Sequence, residues 1–167
     1  MARLTQLAIL FAGALCLISL PDIAHSAAPE FYVQGEVYCE VCRADFINKL
    51  SEPMSGAKVL LECKGDEEGN VTYSAEAVTN EKGVYRFAVK GDHEDETCDI
   101  TLVKSSRPDC DEIPDEGWAT KPSSRVSLTA NSGMHDDTRK ANPLAFAKKV
   151  ALPECAELLK ELEVIDD

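Results

Sequence analysis

Cations are scarce in this chain. Lys and Arg number 17 against 30 Asp and Glu, a formal net charge of −13 over 167 residues. Nucleic-acid binding depends on Lys and Arg laid against phosphates, so this balance excludes nucleic acid as a partner, and it repels anionic membrane surfaces. Apolar runs are scarce as well. Beyond Leu20 no segment approaches the roughly 20 apolar residues of a membrane-spanning helix, so no membrane insertion is expected. A GxSxG elbow, an HExxH helix, a Gly-rich phosphate loop and a second CxxC are all missing. These are the marks of hydrolytic, nucleotide and zinc chemistry, so the sequence offers no catalytic residue, no metal ligand set and no cofactor site. Catalytic triads do assemble in space rather than in sequence, but no residue pattern supports one here. There is no internal repeat and no low-complexity tract.

What is present starts at the N-terminus. One cation, Arg3, precedes an apolar run from Leu7 to Leu20, and small residues surround Ala24 and Ser26. This is the layout of a cleaved secretory signal over residues 1–26. The remainder, 27–167, fits a single domain by the usual length of about 100–200 residues. Arg3 and Asp22 leave together, so cleavage does not change the net charge. The chain is therefore expected to be secreted into the extracellular space.

Of seven cysteines, Cys16 lies in the signal, leaving Cys39, Cys42, Cys63, Cys98, Cys110 and Cys155. An even set in an oxidising compartment reads as a disulfide framework, and six cysteines allow 15 pairings. Counting does not choose among them.

Strand patterns recur over Phe31–Cys39, Ala57–Lys64, Val71–Thr79, Val84–Lys90, Asp99–Lys104 and Arg125–Ala130. Ala57, Val59, Leu61 and Cys63 share one side of the second, and Tyr85, Phe87 and Val89 one side of the fourth, the period-two signature of a half-buried sheet. "GDEEGN", "NEKG" and "GDHEDE" supply turn residues between them. Short strands at this spacing predict a mainly β fold, an antiparallel sandwich or barrel. One short helix is expected after Pro153, with Cys155, Leu158, Leu159 and Leu162 on a narrow face. Arg107–Ser124, broken by Pro108, Pro114, Gly117 and Pro122, reads as a long surface loop.

The segment "QGEVYCEVCR" holds the most specific chemistry. A redox CxxC places its first cysteine at a helix N-terminus in a βαβ setting, whereas here the upstream residues are strand-like. Residues i and i+3 of a strand point to opposite faces, which favours structural disulfides to two different partners. His93 and His135 sit in polar, loop-like stretches and read as solvated. The acidic clusters lack the EF-hand ligand pattern and read as solvated turns. Asn70-Val71-Thr72 is an N-glycosylation sequon beside a turn, so Asn70 is the expected glycan site; Asn131-Ser132-Gly133 lacks the required hydroxyl.

"QGEVYCEVCR" resembles the signature of the pollen Ole e I-like family, the secreted plant proteins typified by the major olive-pollen allergen, whose pattern reads Q-G-x-V-Y-C-D-T-C-R. Glu40 stands for the usual Asp and Val41 for the usual Thr. The likeness continues through "GAKVLLECK", "AVTNEKGVYRFAV", "DCDEIPDEGWA" and "NPLAFAKKVALPEC". The resemblance implies a β-sandwich or barrel with three disulfides, Cys39–Cys110, Cys42–Cys155 and Cys63–Cys98. It implies a non-catalytic extracellular role in pollen hydration and tube growth, through cell-surface receptor kinases or cell-wall components. Olive-type members carry their sugar near the loop that here reads "TANSGMHDD", where the sequon is lost, so Asn70 stands on its own motif. "GAKVLLEC" with "VTNEKGVYRF" also looks like the strand and turn pattern of transthyretin-like sandwiches. The alternatives are an extracellular thiol-disulfide exchanger using Cys39 and Cys42, and a carrier of a small apolar ligand.

Overall fold

Alternation along β1, Glu30–Glu40, sets the architecture: Phe31, Val33, Val37 and Cys39 are buried on one side of the strand. The computed structural model describes residues 30–65, 69–113 and 123–162. The expected signal segment, 1–26, and the stretch 114–122 of the expected loop lie outside the described residues.

β1 is flanked along its length. On one side the first half pairs antiparallel with β5 (Val84–Lys90), from Glu30↔Lys90 to Glu36↔Val84, and the second half with β2 (Glu52–Pro53) at Tyr38↔Pro53 and Cys39↔Glu52. On the other side β8 (Thr138–Lys140) and β9 (Leu144–Ala147) run parallel to it, at Tyr32–Gln34 and Val37–Glu40. The second sheet is antiparallel, in the order β4 (Val71–Val78), β3 (Lys58–Gly65), β6 (Glu96–Lys104), β7 (Ser123–Val126). Val33, Val37, Tyr85 and Phe87 of one sheet form a single buried cluster with Val59, Leu61, Ile100 and Leu102 of the other. Burying side chains of this size contributes roughly 1.5–3 kcal/mol each, and it is what makes the two sheets a sandwich.

The mainly β fold and each expected strand are present, with moved ends. β6 begins at Glu96 rather than Asp99, and the last expected strand is Ser123–Val126 rather than Arg125–Ala130. Strands β2, β8 and β9 carry no period-two signal: they are two, three and four residues long, and all four residues of β9 are buried. The parallel pairings of β8 and β9 also depart from the expected antiparallel arrangement.

Helix α1 spans Cys155–Glu161, two residues beyond Pro153. Its buried face is shorter than expected. Cys155 and Leu158 are buried, while Leu162 is 47% exposed.

Glycine is required at two places. The peptide at Gly83, with φ +74°, passes so close to β1 that a Cβ would lie 2.5 Å from the Val37 carbonyl oxygen. At Gly35 a Cβ would lie 2.5 Å from Cζ of Tyr85.

Candidate functional site

The end of β1 is the most densely cross-linked corner of the described residues. Cys39 is held between β2 and β9, is fully buried, and is bonded to Cys110. β1 ends at Glu40, so Cys42 lies beyond the strand and is bonded to Cys155 on α1. The two sulfurs thus diverge because the chain leaves the sheet between them, not because one extended strand carries both. The third bond, Cys63–Cys98, joins directly opposed residues of β3 and β6. In this arrangement neither Cys39 nor Cys42 presents a thiolate for exchange.

The turn after β1 is built from the side chain of Glu40. This carboxylate is only 2% exposed, and its Oε1 accepts the Cys42 amide at 3.0 Å. The backbone then turns through positive φ at Arg43 and Asp45, 53° and 62°, which is left-handed geometry for residues that carry a Cβ. The backbone oxygens of Glu40 and Val41 accept the amides of Lys148 and Leu152, at 3.1 and 3.0 Å. Burial pushes the Tyr38 phenol up to about 12, helped by the carboxylates of Glu40 and Asp45.

Around this turn runs a lattice of ion pairs. Arg43 donates to Glu112 Oε2 at 2.5 Å and to the Lys148 carbonyl at 2.6 Å. Arg107 makes a two-pronged contact with Asp109, at 3.1 and 2.8 Å, and also pairs with Glu52 on β2. Lys148 Nζ reaches Asp109 from the other side at 2.7 Å. Hydrogen bonds from Arg107 and then Lys148 hold the Asp109 carboxyl well below the usual carboxylate range, and its own pairing with Asp109 and Glu52 raises Arg107. In "PDCDEIPDEG" Asp109 and Glu112 stay exposed, as expected of a solvated turn, and in addition serve as counter-ions. Of the cations that meet them only Arg107 is near in sequence, two residues from Asp109; Arg43 and Lys148 come from distant parts of the chain, which local spacing could not reveal.

The remaining sequence candidates are dispersed. Asn70 is exposed and leads directly into β4. His135 is exposed, but His93 is not the solvated loop residue expected. Its side chain is 9% exposed, packs edge-on against Tyr73, and its Nδ1 donates to Glu96 at 2.8 Å. His93 and Glu96 lie within 4.8 Å of Cys63 and Cys98. Those two sulfurs are bonded to each other, so the quartet offers an imidazole and a carboxylate but no thiolate to a metal.

Between the sheets Met54, Leu61, Ile100, Leu128 and Leu144 fill the interior, each at most 1% exposed. Among the described residues, two surface clefts exceed 400 Å³. One, of about 440 Å³, lies beside the ion-pair lattice and is lined by Val103, Arg107, Ile113 and Phe146. The other, of about 520 Å³, lies between β7 and β8 and includes Arg125, His135 and Arg139.

Comparison with known proteins fits this geometry. A birch (Betula pendula) "Olee1-like protein" is 49% identical over 159 residues, covering 95% of each chain. The pollen allergen Che a 1 of Chenopodium album is 47% identical, covering 96% of this chain and 95% of its own. Among solved structures, the major plantain pollen allergen Pla l 1 superposes with a TM-score of 0.68 at 49% identity, over 75% of this chain and 99% of that one. Residues 29–163 match the profile described as "Pollen protein Ole e 1 like", and the chain belongs to that family.

Proposed function

We propose that this protein is a secreted, glycosylated, non-catalytic interaction module of pollen. On this reading it presents a rigid surface to cell-surface receptor kinases or cell-wall components during hydration and tube growth. The observation that carries the reading is where the family signature goes. Gly35, Val37, Cys39, Glu40 and Cys42 are engaged inside the fold by packing, disulfides or a buried hydrogen bond, and the exposed Arg43 is tied to Glu112 at its surface. A stretch used in that way serves as scaffold, and it stiffens the exposed loops around it. Two disulfides whose ends lie 71 and 113 positions apart close long loops at this corner. Cross-links of that kind stabilise by roughly 2–4 kcal/mol each and suit a protein that persists outside the cell. The exposed sequon at Asn70 agrees with passage through the secretory route.

The reading is tested by using the oxidised, purified protein as bait on pollen-tube plasma membranes and wall extracts, with its reduced form as control. Partners recovered by the oxidised form and lost on reduction are the expected result. If both forms recover the same proteins, recognition of the folded surface is wrong. Turnover of a thiol-disulfide reporter by the purified protein would overturn the non-catalytic assignment.

A further inference from the structure

β4 closes one side of its sheet, and among the described residues nothing pairs with its outer side. The Thr79 amide donates to Ala57, and the Thr79 carbonyl accepts from Gly56, both at 3.0 Å. The backbone of residue 79 therefore faces β3. Backbone direction alternates along an antiparallel ladder. Residues 73, 75 and 77 then also face β3, and the amides and carbonyls of Ser74, Glu76 and Val78 point away from it. Exposed strand edges are normally blunted by Lys, Pro, a bulge or a covering loop. β4, with the sequence VTYSAEAV, has neither Lys nor Pro and only one charge, Glu76. Its one bulge lies at the start, where Cys63 pairs with Tyr73 but Lys64 with Val71, so that Thr72 is the extra residue and Ser74 to Val78 stay regular. Val71 and Val78 are 51% and 57% exposed. In a chain of net charge −13 this is a long, nearly neutral edge.

We propose that this edge pairs with the same edge of a second copy of the chain, and that an N-linked glycan on Asn70 keeps the protein monomeric. The glycan half rests on the reading above that Asn70 is occupied. A symmetric antiparallel pair must keep facing side chains on one side of the sheet, so its two-fold axis passes through a residue rather than between two. Centred on Ala75, the pairing sets Ser74 against Glu76 of the second copy and Glu76 against its Ser74, and Val78 runs out beside the bulge at the second copy's Thr72. Ser74 and Glu76 are residues whose backbone groups point outward and are free to bond. The two Glu76 carboxylates each face a hydroxyl instead of one another, which avoids like charges directly opposed. Asn70 lies just beyond that bulge, at the end of the edge that Val78 of the second copy approaches. A bulky oligosaccharide at each Asn70 therefore stands at both ends of the paired edge and blocks its approach.

The test compares molar mass by light scattering, over a wide concentration range, for the chain made in a glycosylating host and for Asn70→Gln. The glycosylated chain is expected to stay monomeric and Asn70→Gln to dimerise. Adding Ser74→Pro removes an outward amide, at an edge position where proline is tolerated, and should abolish the dimer. Ser74→Asp leaves the backbone intact but opposes Glu76 with a like charge, and should weaken association about tenfold. A monomeric Asn70→Gln chain overturns the edge pairing, as does a dimer indifferent to both Ser74 variants. A glycosylated chain that dimerises as readily overturns the shielding. Intact mass reports occupancy separately: an unmodified Asn70 removes the glycan half, and the Ser74 variants then judge the edge on that same chain.

Discussion

The ring of Tyr85 lies against the backbone of Gly35, so close that a Cβ there would sit 2.5 Å from Cζ and closer still to the hydroxyl. Tyr85 is 1% exposed and its hydroxyl has no hydrogen-bond partner; burial pushes its pKa up. The glycine of the signature is therefore a slot for an aromatic ring from β5. Gly35→Ala is expected to lower stability by about 3 kcal/mol, the upper end for overpacking in a core. Tyr85→Phe removes only an unsatisfied hydroxyl and should be neutral or slightly stabilising. Combined, the two changes should cost less than Gly35→Ala alone, because part of the clash goes with the hydroxyl. Urea unfolding of the four proteins gives the coupling, and additive effects would refute the slot.

Glu40 gives the second prediction. Its buried carboxylate satisfies the Cys42 amide between the two disulfides of the corner. Glu40→Ala leaves that amide without a partner and should cost about 1–3 kcal/mol. Glu40→Gln keeps an acceptor oxygen and should cost less. Glu40→Asp restores the residue of the family pattern with a shorter reach, and should fall between the two. Chemical denaturation ranks them, and an alanine variant as stable as the glutamine variant would mean that the hydrogen bond carries no weight.

These residues also show what the sequence could disclose. Buried alternation in β1, β3, β5 and β6 is written in period two, so four core strands were legible from Val, Leu, Tyr and Phe placement alone. β9 was not, because LAFA is buried at every position and a uniform apolar run has no period. β2 and β8 were not, because two or three residues fall below any pattern length. The site was legible only as a motif. The partners of Arg43 are Glu112 and Lys148, 69 and 105 positions away, and no local spacing encodes such a meeting. His93 was misread for a related reason: its surroundings are polar in sequence, but Tyr73 covers it in space.

Cys42–Cys155 ties α1 to the corner, and the third prediction concerns that helix. A seven-residue helix is marginal in water without tertiary support. The double change Cys42→Ala/Cys155→Ala should cost about 2–5 kcal/mol. It should also strip hydrogen-exchange protection from Leu158 to Leu162 while leaving the protected amides of β3 and β6 in place. Cys63→Ala/Cys98→Ala should do the reverse, sparing α1. If both double variants lose protection over the same residues, the two bridges are not independent braces.

Acid stability should depend on Glu96. Partial burial by itself would raise the pKa of this carboxyl, but hydrogen bonds from Thr72 Oγ1 at 2.5 Å and His93 Nδ1 at 2.8 Å, together with the His93 charge, lower it overall. A carboxylate whose folded pKa lies below its unfolded value, about 4.3 for glutamate, favours folding when ionised. Its contribution is whole above the unfolded value and is lost as pH falls through the folded one. Glu96→Gln cannot ionise and should lack this term. The stability gap between the natural chain and Glu96→Gln should therefore shrink as pH falls below about 4.3. Thr72→Val removes one of the two hydrogen bonds and should move the folded pKa back toward the ordinary range, flattening part of the acid limb. All three proteins have to be made without glycan, because Thr72→Val also destroys the Asn70 sequon. Urea unfolding at a series of pH values gives the three curves. Parallel curves from pH 3 to 7 would show that the fold does not depend on an ionised Glu96, and that the Thr72, Glu96 and His93 cluster only fills space beside the Cys63–Cys98 bridge.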